Sequence, residues 1–491
     1  MSQTPPNQTW GQQPDNYGQE PYPAQAAAPT PVKKSKTPAI IAGVVALALI
    51  AGAVIFGMQF FRGATPAAIK ALPNNAVAVL ELNLAPSTSQ QLALKNWVEK
   101  FPSLEADTST TDYKEALWNL IPEADDKPDY ATEVKPWLGD SLAVAVVLDD
   151  KKEFQPVIAI ETTDVDKAGE FATREFKGMT NDFIGKTMVL WDEELVSLNV
   201  ADVEKAPLAD SENFKADRAK LGGDDYLATF WGIGEALTEV SGADFSGAIA
   251  QQVSLVRDAR FAGGLQVSDE FIDLKMAGYS PQEVSGSVDL DDFVTSLPGN
   301  GLGAFAFAIP DAAWDQFGPD AQKMIDETPE LQQLGITSLD DLKAVIGNKI
   351  AVTVGVENGQ PSFGLKSETA HPDKQAQILE PLFAQAGTQV QRVTDGNVTA
   401  IGLGQTPEKV LNPESKLADN ETFKKVTDLS GDLQSVVFVD VANLSSIPDF
   451  DQMIAGDPTA KEMVDAFAGA GIVSAAQDGH YSDGHIRFVG K

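Results

Sequence analysis

Two octapeptides, LADSENFK at residues 208–215 and LADNETFK at 417–424, agree at six of eight positions and stand 209 residues apart. The order of other matches around them constrains the fold. Leu72-Pro73-Asn74-Asn75 and Leu297-Pro298-Gly299-Asn300 each open an apolar alternating segment, an offset of 225. Gly139 recurs as Gly347, and the strand around Phe230 recurs around Phe438, each 208 residues on. Matches recurring in order at nearly constant spacing indicate one unit of about 210 residues written twice. Two long copies give two lobes, whereas a solenoid needs many short repeats.

Within the first copy Leu80, Leu82 and Leu84 share a face at period two, and in the second Phe305, Phe307 and Ile309 do. Both segments read as half-buried strands. Trp137-Leu138-Gly139-Asp140 leads into the apolar run 141–148, as Val345-Ile346-Gly347-Asn348 leads into 349–356, a pattern of helix, glycine stop and strand. Residues 164–177 and 372–387 read as helices, the second with Ile378, Leu379, Leu382 and Phe383 at helical spacing. Turns as short as Asp395-Gly396 join neighbouring strands, and each copy is expected to finish in a hairpin, at Ser268-Asp269 and at Ser482-Asp483. The expected fold class is α+β, a single transmembrane helix followed by two duplicated lobes, each a mainly antiparallel sheet with packed helices. Pro, Gly, Ser and acidic residues interrupt the pattern over 281–292, which places lobe 1 at 63–285 and lobe 2 at 286–491.

The transmembrane expectation rests on residues 39–58, twenty apolar or small residues without a break, ten of them Leu, Ile, Val or Phe. As a helix this run measures about 30 Å, one hydrocarbon core. It is longer than the apolar region of a cleaved signal and is followed by Gln59, Phe60, Phe61 and Arg62, not by a small-x-small cleavage site. Lys33, Lys34 and Lys36 before it, against Arg62 after it, favour a cytoplasmic amino terminus and an extracytoplasmic bulk. The segment 37–62 is therefore read as a membrane span. Ala48 and Gly52 within it have the small-xxx-small spacing that lets two helices approach closely. Residues 1–36 read as a disordered cytoplasmic tail, since the first 32 hold seven prolines and six glutamines and too little apolar surface to offset ordering.

Beyond residue 62 the chain carries 69 acidic and 32 basic side chains, a net of −37. A field of that sign repels nucleic acid, so no nucleic-acid partner is expected. The chain has no cysteine, which removes disulfides, thiol nucleophiles and thiolate metal sites. Gly-x-Ser-x-Gly and His-Glu-x-x-His are absent, and Gly185-Lys186-Thr187 lacks the upstream glycine of a phosphate loop and leads into a strand. No catalytic residue and no cofactor is assigned. One constellation has metal-ligand chemistry: His480, Asp483 and His485 place two imidazoles and a carboxylate within six residues. In an extended hairpin, however, residues five apart project to opposite faces.

The run LPNNAVAVLELNLAPSTSQQLALKNWVEKFPSL at 72–104 resembles the opening of a family of uncharacterised, mostly actinobacterial membrane-anchored proteins, domain-of-unknown-function family 3352. Leu72-Pro73, Pro86, Gln90 or Gln91, and Phe101-Pro102 carry the resemblance. It implies a Pro-rich tail, one anchor and a large exported domain, and it brings no catalytic or binding residue with it. The function expected is that of a non-enzymatic binding or scaffold protein of the cell envelope, integral to the membrane by one helix, with an envelope protein or lipid as partner. A carrier or sensor of an apolar envelope lipid is the alternative, and a cell-envelope hydrolase using paired carboxylates or the terminal hairpin of His480, Asp483 and His485 the second alternative.

Overall fold

Among the described residues, alternating apolar segments build one sheet of sixteen strands. In chain order they are β1 (Ala78–Asn83), β2 (Leu138–Leu148), β3 (Phe154–Thr162), β4 (Thr180–Ile184), β5 (Thr187–Trp191), β6 (Ala228–Ile233), β7 (Arg260–Val267) and β8 (Phe271–Tyr279). The second half contributes β9 (Gly303–Ala308), β10 (Lys349–Glu357), β11 (Gln360–Glu368), β12 (Gln391–Asp395), β13 (Val398–Leu403), β14 (Asp432–Val439), β15 (Phe467–Asp478) and β16 (Tyr481–Gly490). The computed structural model describes residues 67–491 apart from 105–111, 120–126, 150, 152, 224, 235–257, 282, 284–287 and 386–390. The tail expected at 1–36 and the span expected at 37–62 lie outside the described residues. Among the described residues no helix is long and apolar enough to cross a membrane.

Every strand pairing is antiparallel. From one edge inward the order is β4, β5, β3, β2, β1, β6, β7, β8, and from the other it is β12, β13, β11, β10, β9, β14, β15, β16. The two series differ by eight strands at every place. They meet where β8 pairs with β16 from Phe271 opposite Val489 to Tyr279 opposite Tyr481, so the sheet runs unbroken across the boundary expected at 281–292. The mainly antiparallel α+β reading holds, with both halves sharing a single sheet.

Helices cover both faces. On the near face the first described turn, Ala68–Ala71, packs Ile69 and Leu72 onto Val79, Ala145 and Ala159, with Phe214 of the helix Glu212–Ala219 in the same cluster. In the second half Leu290, Phe293 and Leu297 pack on Ala306, Ala351 and Val436, with Phe423 of the helix Glu421–Val426. On the far face the helix Thr88–Glu99 seats Leu94 and Trp97 against Leu82, Ala228 and Leu265. The helix Val165–Glu175 seats Phe171 and Ala172 against Ile158, Ile160 and Met188. It starts where Asp164 accepts from the Lys167 amide at 3.2 Å, an N-cap that fits the expected helix at 164–177. The helix Pro372–Gln385 likewise occupies the described part of 372–387.

Two local expectations change. Gly347 does end the helix Leu339–Ile346, at φ +73, a conformation that glycine adopts without steric cost. Gly139 instead lies inside β2, where a Cβ would stand 2.6 Å from the Glu161 backbone: close strand approach, not helix termination, requires a glycine there. Ser482-Asp483 is no turn. Those residues pair with Gly278 and Ala277 of β8 on one side and Ala476 and Ala475 of β15 on the other, and ladders on both flanks keep them extended. The loop of that hairpin is Gly479-His480. Gly185-Lys186 forms the loop between β4 and β5, a hairpin as its strand context implies.

Candidate functional site

The three candidate metal ligands fall at the central seam of the sheet. His480 is exposed in its loop, with Nδ1 2.9 Å from the Ser280 carbonyl and its ring stacked on Tyr279 at 5.7 Å. Asp483 and His485, two apart on β16, share the near face opposite Ala277 and Lys275. His485 is wholly buried, and its Nε2 donates to the Val426 carbonyl; since a carbonyl only accepts, Nε2 carries the proton. Burial, with the Arg487 charge beside it, holds this imidazole below its ordinary pKa despite the hydrogen bond. At about 3.3 Å per residue, five residues of strand separate His480 from His485 by roughly 16 Å. The structure thus brings Asp483 and His485 to one face and leaves His480 apart. Among the described residues no group of three His, Cys, Asp or Glu side chains could hold a metal ion.

The same seam holds buried charges that sequence reading did not single out. Asp217, on the helix Glu212–Ala219, accepts from Trp231 Nε1 at 2.8 Å, Arg260 Nε at 2.8 Å, Arg260 Nη2 at 3.1 Å and Tyr481 Oη at 2.8 Å. Tyr481 belongs to the second half, so this carboxylate ties the halves together. The Arg260 guanidinium also stacks over Tyr279 at 3.6 Å. Farther along the seam Arg487 donates to Asp273 at 2.9 Å and to the Lys425 carbonyl at 2.6 Å. Glu81, deeper in the first half, donates nothing to this lock. Burial raises its pKa, against the opposing pull of Arg218 at 3.4 Å and the Thr229 hydroxyl. The acids of the seam are committed to arginines, which suits a structural lock better than acid–base chemistry.

The far face is built differently. Directly paired residues project to the same side, so the registers trace one apolar row across the sheet: Ile401, Leu365, Val352, Phe305, Val437, Ile472, Ile486, Leu274, Leu265, Ala228, Leu82, Leu142, Ile160 and Met188. Its ends are buried, Ile401 at 3% exposure and Met188 at 0%. Its middle is bare: Phe305 is 43% and Ile472 46% exposed, while Phe363 at 44% and Val439 at 39% flank them on the same face. Two residues along each strand, on the same face, Ser435 and Ser474 place their hydroxyls 2.7 Å apart beside Val437 and Ile472. Toward the first half Phe230 lies over Gly263, whose added Cβ would stand 2.1 Å from the ring, and Phe261 lies over Gly232. These rings lie along the sheet and smooth its surface.

Period-two alternation did find Phe305 and Phe307, but as the buried side of a half-buried strand. The structure reverses that. Ala304 and Ala306 face the core at 5% and 0% exposure, and the aromatic side stays open. The signal was present in the contrast between alanine and phenylalanine at alternate positions, since a face packed under close helices takes small residues as readily as large ones.

Residues 39–183 match the family model described as a protein of unknown function, DUF3352. Over that segment the chain is similar to the DUF3352 family. The resemblance read from residues 72–104 falls within it. The DUF3352 segment takes in the apolar run 39–58, strands β1 to β3 and most of β4, and thus Leu82, Leu142 and Ile160 of the apolar row. The bare middle, on β9, β14 and β15, lies beyond it. No curated protein matches the chain.

Proposed function

We propose that the chain is a single-pass, non-enzymatic binding protein of the cell envelope, its amino terminus cytoplasmic and its sheet outside. The apolar run 39–58 with its lysine flank supports the location. A strand order that repeats by eight, together with the recurring sequence matches, supports descent of the ectodomain from one unit written twice. The carrying observation for function is the far-face row, buried at both ends and open between Phe305 and Ile472. A contiguous apolar patch of this size is common on folded proteins and often functional, and we take this one as the binding surface. The buried carboxylates held by Arg260 and Arg487 favour binding over hydrolysis.

Intact cells producing the chain with a carboxyl-terminal epitope test the location: external protease removes the epitope while a cytosolic marker survives. A protected epitope refutes it. Anilinonaphthalene sulfonate tests the surface. Its fluorescence on the wild-type chain falls in Ile472→Asp and Phe305→Asp if the row is the apolar binding face, and unchanged fluorescence in both refutes that assignment.

A further inference from the structure

We propose that the bare middle of the far-face row holds the hydrocarbon chain of a membrane lipid. This rests on the reading above, in which the sheet is tethered at the outer face of a membrane. Phe305, Val437 and Ile472 stand bare or half-buried on three adjacent strands, β9, β14 and β15, and the half-buried Ile486 and Leu274 continue the row on β16 and β8 toward the covered cluster of the first half. At about 4.8 Å between strands the bare part is roughly 10 Å long, and with its half-buried continuation to Leu274 the track is roughly 19 Å. One leaflet of a bilayer, half of a hydrocarbon core ~30 Å thick, spans roughly 15 Å, so a single lipid chain fits along the row.

Three observations select that occupant. Every strand under the row is paired on both sides, so its backbone groups are satisfied and cannot add a partner's strand. The exposed area is small: an aromatic side chain presents roughly 200 Å², so Phe305 and Phe363 at 43% and 44% exposure, with Val439 and Ile472, leave about 300 Å². A stable protein partner needs ~800 Å² on each side. Finally, eight residues separate Met58, the end of the apolar run, from Ala67, the first described residue. At no more than ~3.6 Å each they keep the sheet within about 30 Å of the bilayer. The turn Ala68–Ala71 at the end of that tether packs on the near face, which leaves the row clear of it. The paired hydroxyls of Ser435 and Ser474 supply a hydrogen-bonding point beside an otherwise apolar track, as a lipid ester or hydroxyl would use.

The test is photo-cross-linking of the full chain in its own membranes. Benzoylphenylalanine replaces Ile472 in one variant and Phe305 in another, with the exposed position of Lys215, on the near-face helix Glu212–Ala219, as control. Adducts are read by mass spectrometry of the purified protein. A lipid adduct at 472 and 305, at least tenfold above the control and reduced at least tenfold at 305 when Ile472→Asp is added, supports the proposal. A protein adduct at both positions overturns the lipid assignment while leaving a binding surface in place. A cross-link within the chain overturns it by showing that the row is covered from inside. No adduct above the control overturns it and removes the binding surface too. Protease protection of the epitope on intact cells separately reports failure of the location.

Discussion

Replacing Asp217 by Asn tests whether the seam locks the halves together. Asp217 is 1% exposed and accepts four hydrogen bonds, two of them from the Arg260 guanidinium and one from Tyr481 of the opposite half. An amide in its place turns one acceptor into a donor facing donors and leaves the Arg260 charge without its counterion. Breaking a buried pair from one side costs about 3–5 kcal/mol. For a cooperative unit of this size 1 kcal/mol moves the midpoint by about 1–2 °C, so Asp217→Asn is expected to melt roughly 4–8 °C lower. Tyr481→Phe, which removes one bond to a charged acceptor, is expected to cost about 1.5–3 kcal/mol. Differential scanning calorimetry of the single and double variants closes the cycle. A cost for the pair at least 0.5 kcal/mol from the sum shows that the two residues act in one network. Asp210→Asn is the control, since Asp210 pairs with Lys215 at the surface and is expected to shift stability by less than ~1 kcal/mol. An Asp217→Asn protein melting within 1 °C of wild type, or an additive cycle, refutes the lock.

Leu265→Ala, under the Thr88–Glu99 helix, is expected to cost about 2–5 kcal/mol, and Ile472→Ala in the same row less than ~1 kcal/mol; equal costs in chemical denaturation would mean that the row is uniformly buried. Burial depresses the His485 pKa, so as pH falls below about 6.5 the unfolded chain takes up a proton that the fold resists, and stability declines toward pH 5. His485→Gln should flatten that decline by up to ~1.4 kcal/mol per pH unit, and parallel melting profiles would contradict the assignment. Lys366 is held at a pKa of about 8 by burial and by Lys416. Its folded form binds fewer protons than the unfolded chain between pH 8 and about 10.5, so stability contributed by deprotonation grows through that window. Lys366→Met is therefore expected to exceed wild type at pH 7 by on the order of 2 kcal/mol, with the gap closing toward pH 10.5; no gap at pH 7 would sink this reading.

Much of the fold was legible because it is local. Leu80, Leu82 and Leu84 announced a strand by alternation, Asp164 announced a helix start, and Asp395-Gly396 announced the β12–β13 hairpin. Order among distant matches, such as 208–215 with 417–424, also anticipated a strand series that repeats by eight. The seam was illegible for the opposite reason. Asp217 meets Tyr481 across 264 residues and Arg487 meets Asp273 across 214, and nothing in the spacing of those residues encodes such a meeting. The matching place to Asp217 in the second octapeptide's helix is Val426, so the repeat itself gave no reason to expect a carboxylate there. His480, Asp483 and His485 drew notice by proximity in sequence, which an extended strand converts into separation in space.

The bare far face has the same origin. Alternation says which side chains share a side, and the cover over that side comes from elsewhere. Leu82 and Phe305 occupy the same row, each in the first strand of its half. Five residues after β1 the helix Thr88–Glu99 folds back, and Trp97 closes over the row while its Nε1 donates to the Ser268 carbonyl at 2.8 Å. The helix that follows β9, Asp311–Glu327, gives its contacts away: Ile325 is buried with Ile336 and Ile378, and Trp314 lies under Lys343 at 6.0 Å. Ile325 and Trp314 are thus turned to other helices, and Phe305 is left open. Two halves with one strand order consequently differ in what they can hold. The first half buries its row under a helix, and the second leaves the matching stretch exposed.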